Sequence, residues 1–305
     1  DETYGDLRQK WSPSASVLVS KRFDTKVGEM GLLLDVAHSD LYSRLNALEV
    51  DPYDAHSDNT VTSYDGGATT TTYSNALPGQ AAGSTVMVPV GVEYRLEDRD
   101  KTRDGLYGAF QWKPNDDTEF YATYFQTKSR LISQDHFLQT SACCSATNNQ
   151  SFMGQPATGT DFTFDDDGNF TSGSIVDGGG GGDPVSNAML FSLGTRYGDE
   201  RAQTGDFSTG VKWRAGRWDF KLDFQHIDSL HTDYDMTVYN YLTAEGGVTL
   251  DLSGDLPKIS MADTSNSAGD SVLYAAMDHH EIDKARQNTV TFDANYDFAS
   301  GFFKS

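Results

Sequence analysis

Between Phe207 and Gln225 the chain alternates apolar and polar residues on both sides of a very short turn at Ala215-Gly216, and this feature most restricts what it can fold into. Before the turn, Phe207, Val211 and Trp213 alternate with Ser208, Gly210, Lys212 and Arg214; after it, Trp218, Phe220, Leu222 and Phe224 alternate with Arg217, Asp219, Lys221, Asp223 and Gln225. Successive side chains of a strand point to opposite faces, so the pattern predicts a hairpin with one apolar face and one charged face. A water-soluble sandwich carries the same alternation, which alone does not choose between the two settings.

Three more segments repeat the unit. Val290, Phe292, Ala294, Tyr296 and Phe298 alternate with polar residues up to a turn at Ala299-Ser300-Gly301. A second segment turns at Pro114-Asn115-Asp116-Asp117, with Leu106, Phe110 and Trp112 sharing a face on the way in. On its far side Phe120, Tyr121, Tyr124 and Phe125 are aromatic on both faces, so the orientation there stays open. The remaining segment turns between Asp24 and Gly28, with Val17, Val19 and Phe23 leading in and Met30, Leu32, Leu34 and Val36 leading out.

Two properties favour a membrane wall over a sandwich. Rings flank the turns closely: Phe23, Trp112 with Phe120, Trp213 with Trp218, and Phe298 with Phe302. Bulky rings at one common height are what an interfacial girdle requires. Connections also alternate between short turns and long irregular stretches, the latter from about 43 to 90, 129 to 190 and 239 to 274. Membrane barrels have short turns on one side and long loops on the other. The apolar band reads as about ten residues per strand, close to the ~9–11 of a tilted membrane strand. Polar alternation continues beyond it at 94–104, 195–203 and 277–284, which predicts strands that outrun the membrane.

Composition removes several classes. No run approaches the roughly 18 apolar residues of a spanning helix. A net charge of −22, from 23 Lys plus Arg against 45 Asp plus Glu, disfavours nucleic acid. The recurrent patterned Phe, Tyr, Trp and Val argue against disorder. Cys143 and Cys144 are adjacent, unlike the spaced pairs of a zinc site, and read either as a strained local disulfide or as two loop thiols. No leader precedes Asp1 and the chain stops on Phe302-Phe303-Lys304-Ser305, so both ends read as those of a fragment.

The stretches Lys10 to Asp40, Leu96 to Arg130, Ala276 to Phe298 and Gly301 to Ser305 carry a family resemblance. They resemble the barrel region of TonB-dependent outer-membrane receptors, in particular the proteobacterial class linked to carbohydrate uptake. The resemblance covers about a third of the chain and rests on strand-and-turn signatures rather than reactive residues. It implies an all-β, antiparallel transmembrane β-barrel of about 22 strands, closed by a plug and energised through the TonB complex from the inner membrane. Residues 1–305 would be part of a single barrel domain, about seven to eight strands, without the plug or the C-terminal strands. Outer-membrane lipid, the TonB complex and a small-molecule or oligosaccharide ligand would be its partners.

The sequence offers no catalytic constellation: no Gly-x-Ser-x-Gly elbow, no zinc helix and no strand-to-helix glycine loop, since the glycine run at 178–182 lacks that context. Neither an enzyme nor a cofactor is expected. His279 and His280 are adjacent on a strand and point apart, and the Asp165 to Asn169 stretch fails the calcium-loop pattern, so no metal site is assigned. Candidate ligand contacts are aromatic residues in the long connections and strand tops: Tyr53, Tyr64, Tyr73, Phe137, Phe152, Tyr234, Tyr239 and Tyr241. The leading expectation is TonB-energised uptake of a scarce nutrient, an oligosaccharide. A siderophore-iron receptor of the same fold, a plugless substrate-specific porin and a secreted all-β binding module are the alternatives.

Overall fold

The computed structural model describes residues 1–50, 53–57, 60–65, 69–74, 76–77, 80–89, 91–141, 155–176, 188–245, 247–261 and 271–298. Eight antiparallel strands pair in chain order to form one sheet. They are β1 (Glu2–Gly5), β2 (Lys10–Thr25), β3 (Gly28–Val50), β4 (Gly91–Asn115), β5 (Thr118–Ser141), β6 (Ala188–Ala215), β7 (Trp218–Glu245) and β8 (Ser271–Tyr296). The fold is therefore all-β with no helix among the described residues, and the sheet is not closed: β1 and β8 are its two edges.

The short turns lie where the sequence placed them, and they lie together. Pairing of Glu29 with Lys113 and of Trp213 with Thr118 brings the β2–β3, β4–β5 and β6–β7 turns to one end of the sheet. Their chemistry is local. The Thr25 hydroxyl accepts the Val27 N–H (3.2 Å) and donates to the Gly28 carbonyl (2.7 Å), while Asn115 Oδ1 accepts the Asp117 N–H (3.0 Å). Gly28, at φ +112°, lies so close to β4 that a Cβ there would sit 2.1 Å from the Lys113 carbonyl oxygen. The Ala299-Ser300-Gly301 turn and Phe302 lie outside the described residues. A fourth turn, Gly5 to Lys10, carries no glycine at its left-handed position, which Gln9 occupies at φ 55°, and so left no signal in the sequence.

Strand extension beyond the apolar band is larger than the alternation indicated, with β4 to β8 running 25, 24, 28, 28 and 26 residues. The long connections are correspondingly shorter and are not wholly irregular. The first holds the pairs Tyr53–Ser57 with Thr85–Pro89 and Thr60–Asp65 with Thr69–Ser74. The second and third interlock, because Phe170–Val176 pairs with Val248–Asp251 in a small sheet of their own. Met87 N–H donating to the Gly168 carbonyl (2.9 Å) ties in the first. The hydrophobic core sits here, where Phe162, Phe170, Ile175, Val248 and Leu250 pack on Leu48, Leu138, Phe191, Leu193 and Leu242 at the strand tops.

Following partners across the ladders shows how the large sheet divides. One row runs Phe23, Met30, Trp112, Phe120, Val211, Leu222, Phe292, and the next Lys21, Leu32, Phe110, Ala122, Thr209, Phe224, Val290. Both belong to one face, here the band face. Val19, Leu34, Leu222, Val290 and Phe292 remain 41–69% exposed there, so the band is not a core. The band spans about seven to nine residues per strand, such as Met30 to Val36, somewhat less than the ten read from the sequence. The register also settles β5: Phe120 and Tyr124 join the band face, and Tyr121 and Phe125 the opposite one.

Candidate functional site

At the height of the band, the opposite face is ionic. Glu119 accepts hydrogen bonds from Gln111 (2.9 Å) and Lys212 (3.2 Å) and lies 3.5 Å from Lys113. The Tyr121 hydroxyl donates to Asp223, which also pairs with Lys221 at 2.7 Å, and Asp206 accepts from Ser208 and Gln225. Each of these polar groups thus has a partner, some on a neighbouring strand, as for Glu119 with Lys212, and some on its own, as for Lys221 with Asp223.

The same face changes character nearer the long connections. Arg95 of β4, Phe137 of β5, Gly194 of β6 and Tyr239 of β7 form one cross-strand row. Glu97, Asp135, Arg196 and Thr237 form the next, and Arg99, Ser133, Gly198 and Asp235 the one after. Gly194 shapes the first row. A Cβ on it would lie 1.9 Å from Phe137 Cζ, so the ring lies flat across β6 only because that position has no side chain. From there the ring meets Tyr239 edge-on at 5.7 Å, and the Arg95 guanidinium covers it at 5.6 Å.

Arg95 is held in place by Glu93, which accepts from its Nε at 2.6 Å, while its Nη1 stands 3.5 Å from Asp135 Oδ2. Arg99 donates to Glu97 (2.7 Å), and Asp235 accepts from Thr237 (2.9 Å) and pairs with Arg196. Asp135 is 4% exposed, yet its Oδ1 has no hydrogen-bond partner among the described residues. Burial pushes its carboxyl above the ordinary aspartate range; Arg95 opposes that shift and Glu97 adds to it. A buried acceptor without a donor, beside a fixed guanidinium and two rings, matches a ligand that presents hydroxyl donors along one edge and an apolar face.

Among the aromatic candidates, Phe137 and Tyr239 are brought together here. Tyr241, on the same face, stacks at 4.2 Å on Tyr274, the residue skipped where the β7–β8 register shifts. Tyr234 is on the band face instead, between Tyr197 (6.5 Å) and His280 (6.4 Å). Tyr53 lies apart in the first connection, and Tyr64 and Tyr73 belong to its second strand pair, Thr60–Asp65 with Thr69–Ser74. Phe152, Cys143, Cys144 and the glycine run at 178–182 lie outside the described residues. The sequence points to none of Arg95, Glu97, Asp135 and Arg196: Arg95, Glu97 and Arg196 read only as parts of polar strand extensions, and Asp135 falls in the stretch from about 129 to 190 read as irregular, whereas the strand β5 continues through it to Ser141.

The girdle candidates Phe23, Trp112, Phe120, Trp213, Trp218 and Phe298 do gather near the turn end. Trp112 stacks on Phe120 at 5.2 Å and donates its Nε1–H to the Val27 carbonyl (2.8 Å). Trp213 and Trp218 do not stack on each other: Phe220 lies between them at 5.0 and 5.6 Å, and Tyr296 links Trp218 to Phe298.

His279 and His280 face opposite sides, pairing in register with Asp235 and Tyr234, and no metal-ligand group of three occurs among the described residues. Asp165 turns its carboxylate onto its own loop, accepting from the N–H groups of Asp167 (3.0 Å) and Asn169 (2.8 Å) and from Asn169 Nδ2 (3.0 Å). No protein-family model, curated protein or solved structure matches the chain.

Proposed function

We propose that this chain forms part of the wall of a Gram-negative outer-membrane β-barrel that imports a scarce nutrient, an oligosaccharide, in the manner of TonB-dependent receptors. The observation that carries the reading is the contrast between the faces at one height. An exposed apolar band crosses seven strands on one face, an ionic ladder backs it, and rings border it beside tight turns. A contiguous apolar surface of that extent is stable against hydrocarbon and not against water. Open sheet edges do not persist in lipid, so at the height of the band the wall needs further strands to pair with the free sides of β2, which β1 covers only at Lys10 to Pro13, and of β8.

In such a barrel the opposite face lines the lumen. The Arg95, Asp135, Phe137 and Tyr239 group then lies on the path of an entering ligand, with rings to pack on sugar faces and carboxylates to accept hydroxyl protons. Dependence on the TonB complex follows from the resemblance alone, as does the preference for sugars over siderophore-iron.

Two measurements test the proposal. The full-length protein should sediment with the outer membrane and migrate faster on gels when unheated; recovery in the soluble fraction overturns the membrane reading and favours a secreted binding module. Oligosaccharide uptake should cease in a strain lacking TonB. A steady conductance in planar bilayers, independent of TonB, identifies a plugless porin instead.

A further inference from the structure

Just above the apolar band, the band face carries a stripe of cations. In register, Asp104, Lys128, Gln203, Leu230 and Lys284 share one row and Asp40, Thr102, Arg130, Arg201 and Thr232 the next, so that the cations gather on β5, β6 and β8 and the carboxylates of these rows stand on β3 and β4. The stripe lies between the band below and Ile132, Asp199 and Tyr234 in the next row above, and Leu138 and Leu193, which the core of the connections covers, stand three rows beyond that. Such local basicity is unusual in a chain with 45 acidic and 23 basic residues.

Arg130, Arg201 and Lys128 surround a depression of about 370 Å³, with Leu230 on the wall nearer the band and Thr102 and Gln203 supplying polar atoms. Asp199 takes Nε and Nη2 from both arginines, at 2.9 and 2.7 Å from Arg130 and 3.1 and 2.7 Å from Arg201. One carboxylate shared by two guanidinium groups leaves a positive charge over, and Nη1 of each arginine keeps its donors. Lys128 has no carboxylate in ion-pair range among the described residues. Asp104, also at the depression, is drawn to His38 at 2.8 Å.

We infer that this depression binds the phosphate of an anionic membrane lipid headgroup at the rim of the apolar band. The inference rests on the proposal that the band lies in a bilayer. A phosphate presents several oxygens to fixed guanidinium donors and to a lysine acting as a point charge, while the acyl chains continue down the band past Leu230. Headgroup phosphates occupy the layer directly outside the hydrocarbon, which is the height of the stripe.

The test uses the purified full-length protein in neutral detergent micelles, with lipid retention read by native mass spectrometry. Micelles doped with lipid A should leave about tenfold more bound lipid than micelles doped with phosphatidylcholine. Lys128→Gln, which leaves the Asp199 clamp intact, should lose much of that preference, and Arg130→Gln with Arg201→Gln nearly all of it. Lys101→Gln with Arg103→Gln, an equal loss of charge on the opposite face, should change nothing. Equal retention of the two lipids, or displacement of lipid A by millimolar inorganic phosphate, overturns the inference while the membrane reading stands. A protein that stays monodisperse without a detergent belt overturns that reading, and the inference with it.

Discussion

A single missing side chain sets the geometry of the candidate site. Gly194→Ala would place a methyl where the Phe137 ring now lies, and overpacking of this kind costs about 1–3 kcal/mol. The expected result is a lower midpoint in denaturant together with weaker oligosaccharide binding; unchanged binding would mean that the Phe137–Tyr239 pair is not a ligand contact. The two notable aspartates respond to pH in opposite senses. Burial raises the pKa of Asp135, so the folded protein holds that proton more tightly than the unfolded chain, and its contribution to stability is complete below the unfolded value and lost as pH rises through the folded one. Arg130 and Arg201 lower the pKa of Asp199, so its contribution is complete above the unfolded value and lost as pH falls towards the folded one. Asp135→Asn should therefore gain stability relative to the parent as pH climbs from 4 to 7, and Asp199→Asn should remove stability that the parent shows near neutrality. Unfolding midpoints measured across that range check both signs.

At the scale of strands, the prediction concerns which face a substitution falls on. Leu222→Lys puts a charge within the apolar band, and in a bilayer that costs ~2–4 kcal/mol near the midplane. Thr289→Lys, on the opposite face of β8 beside Gln225, should cost little. The folded fraction recovered in lipid vesicles, read as the band that shifts on heating, should fall for the first substitution and hold for the second. Equal behaviour would remove the assignment of faces. These faces were legible in the sequence, because period-two alternation is a property of neighbours along one strand. Phe120, Tyr121, Tyr124 and Phe125 were not, since both of their faces are aromatic and only pairing with β4 and β6 orients them. The Gly5 to Lys10 turn was illegible for a different reason, Gln9 standing where turn chemistry puts glycine or asparagine.

For the molecule as a whole, the buried core and the long sheet are separate things. Leu250 is fully buried within the interlocked connections, and Leu250→Ala should cost about 2–5 kcal/mol there. Hydrogen exchange should then speed up in 155–176 and 247–261 while β5 to β7 stay protected; loss of protection in those strands as well would mean that the connections and the sheet unfold as one unit. The alternation, the tight turns and the rings beside them depend on contacts within a few residues, and so the sequence by itself determined an all-β chain of antiparallel hairpins with one apolar face. What only the tertiary structure decided depends on register between strands far apart in the chain. Arg95 meets Phe137, and Phe137 reaches Tyr239, through three ladders that bring together residues separated by more than a hundred positions. Pairing of that range leaves no periodic trace, because any polar residue on an extended strand satisfies the local pattern equally well, and only its cross-strand neighbours make it part of a site.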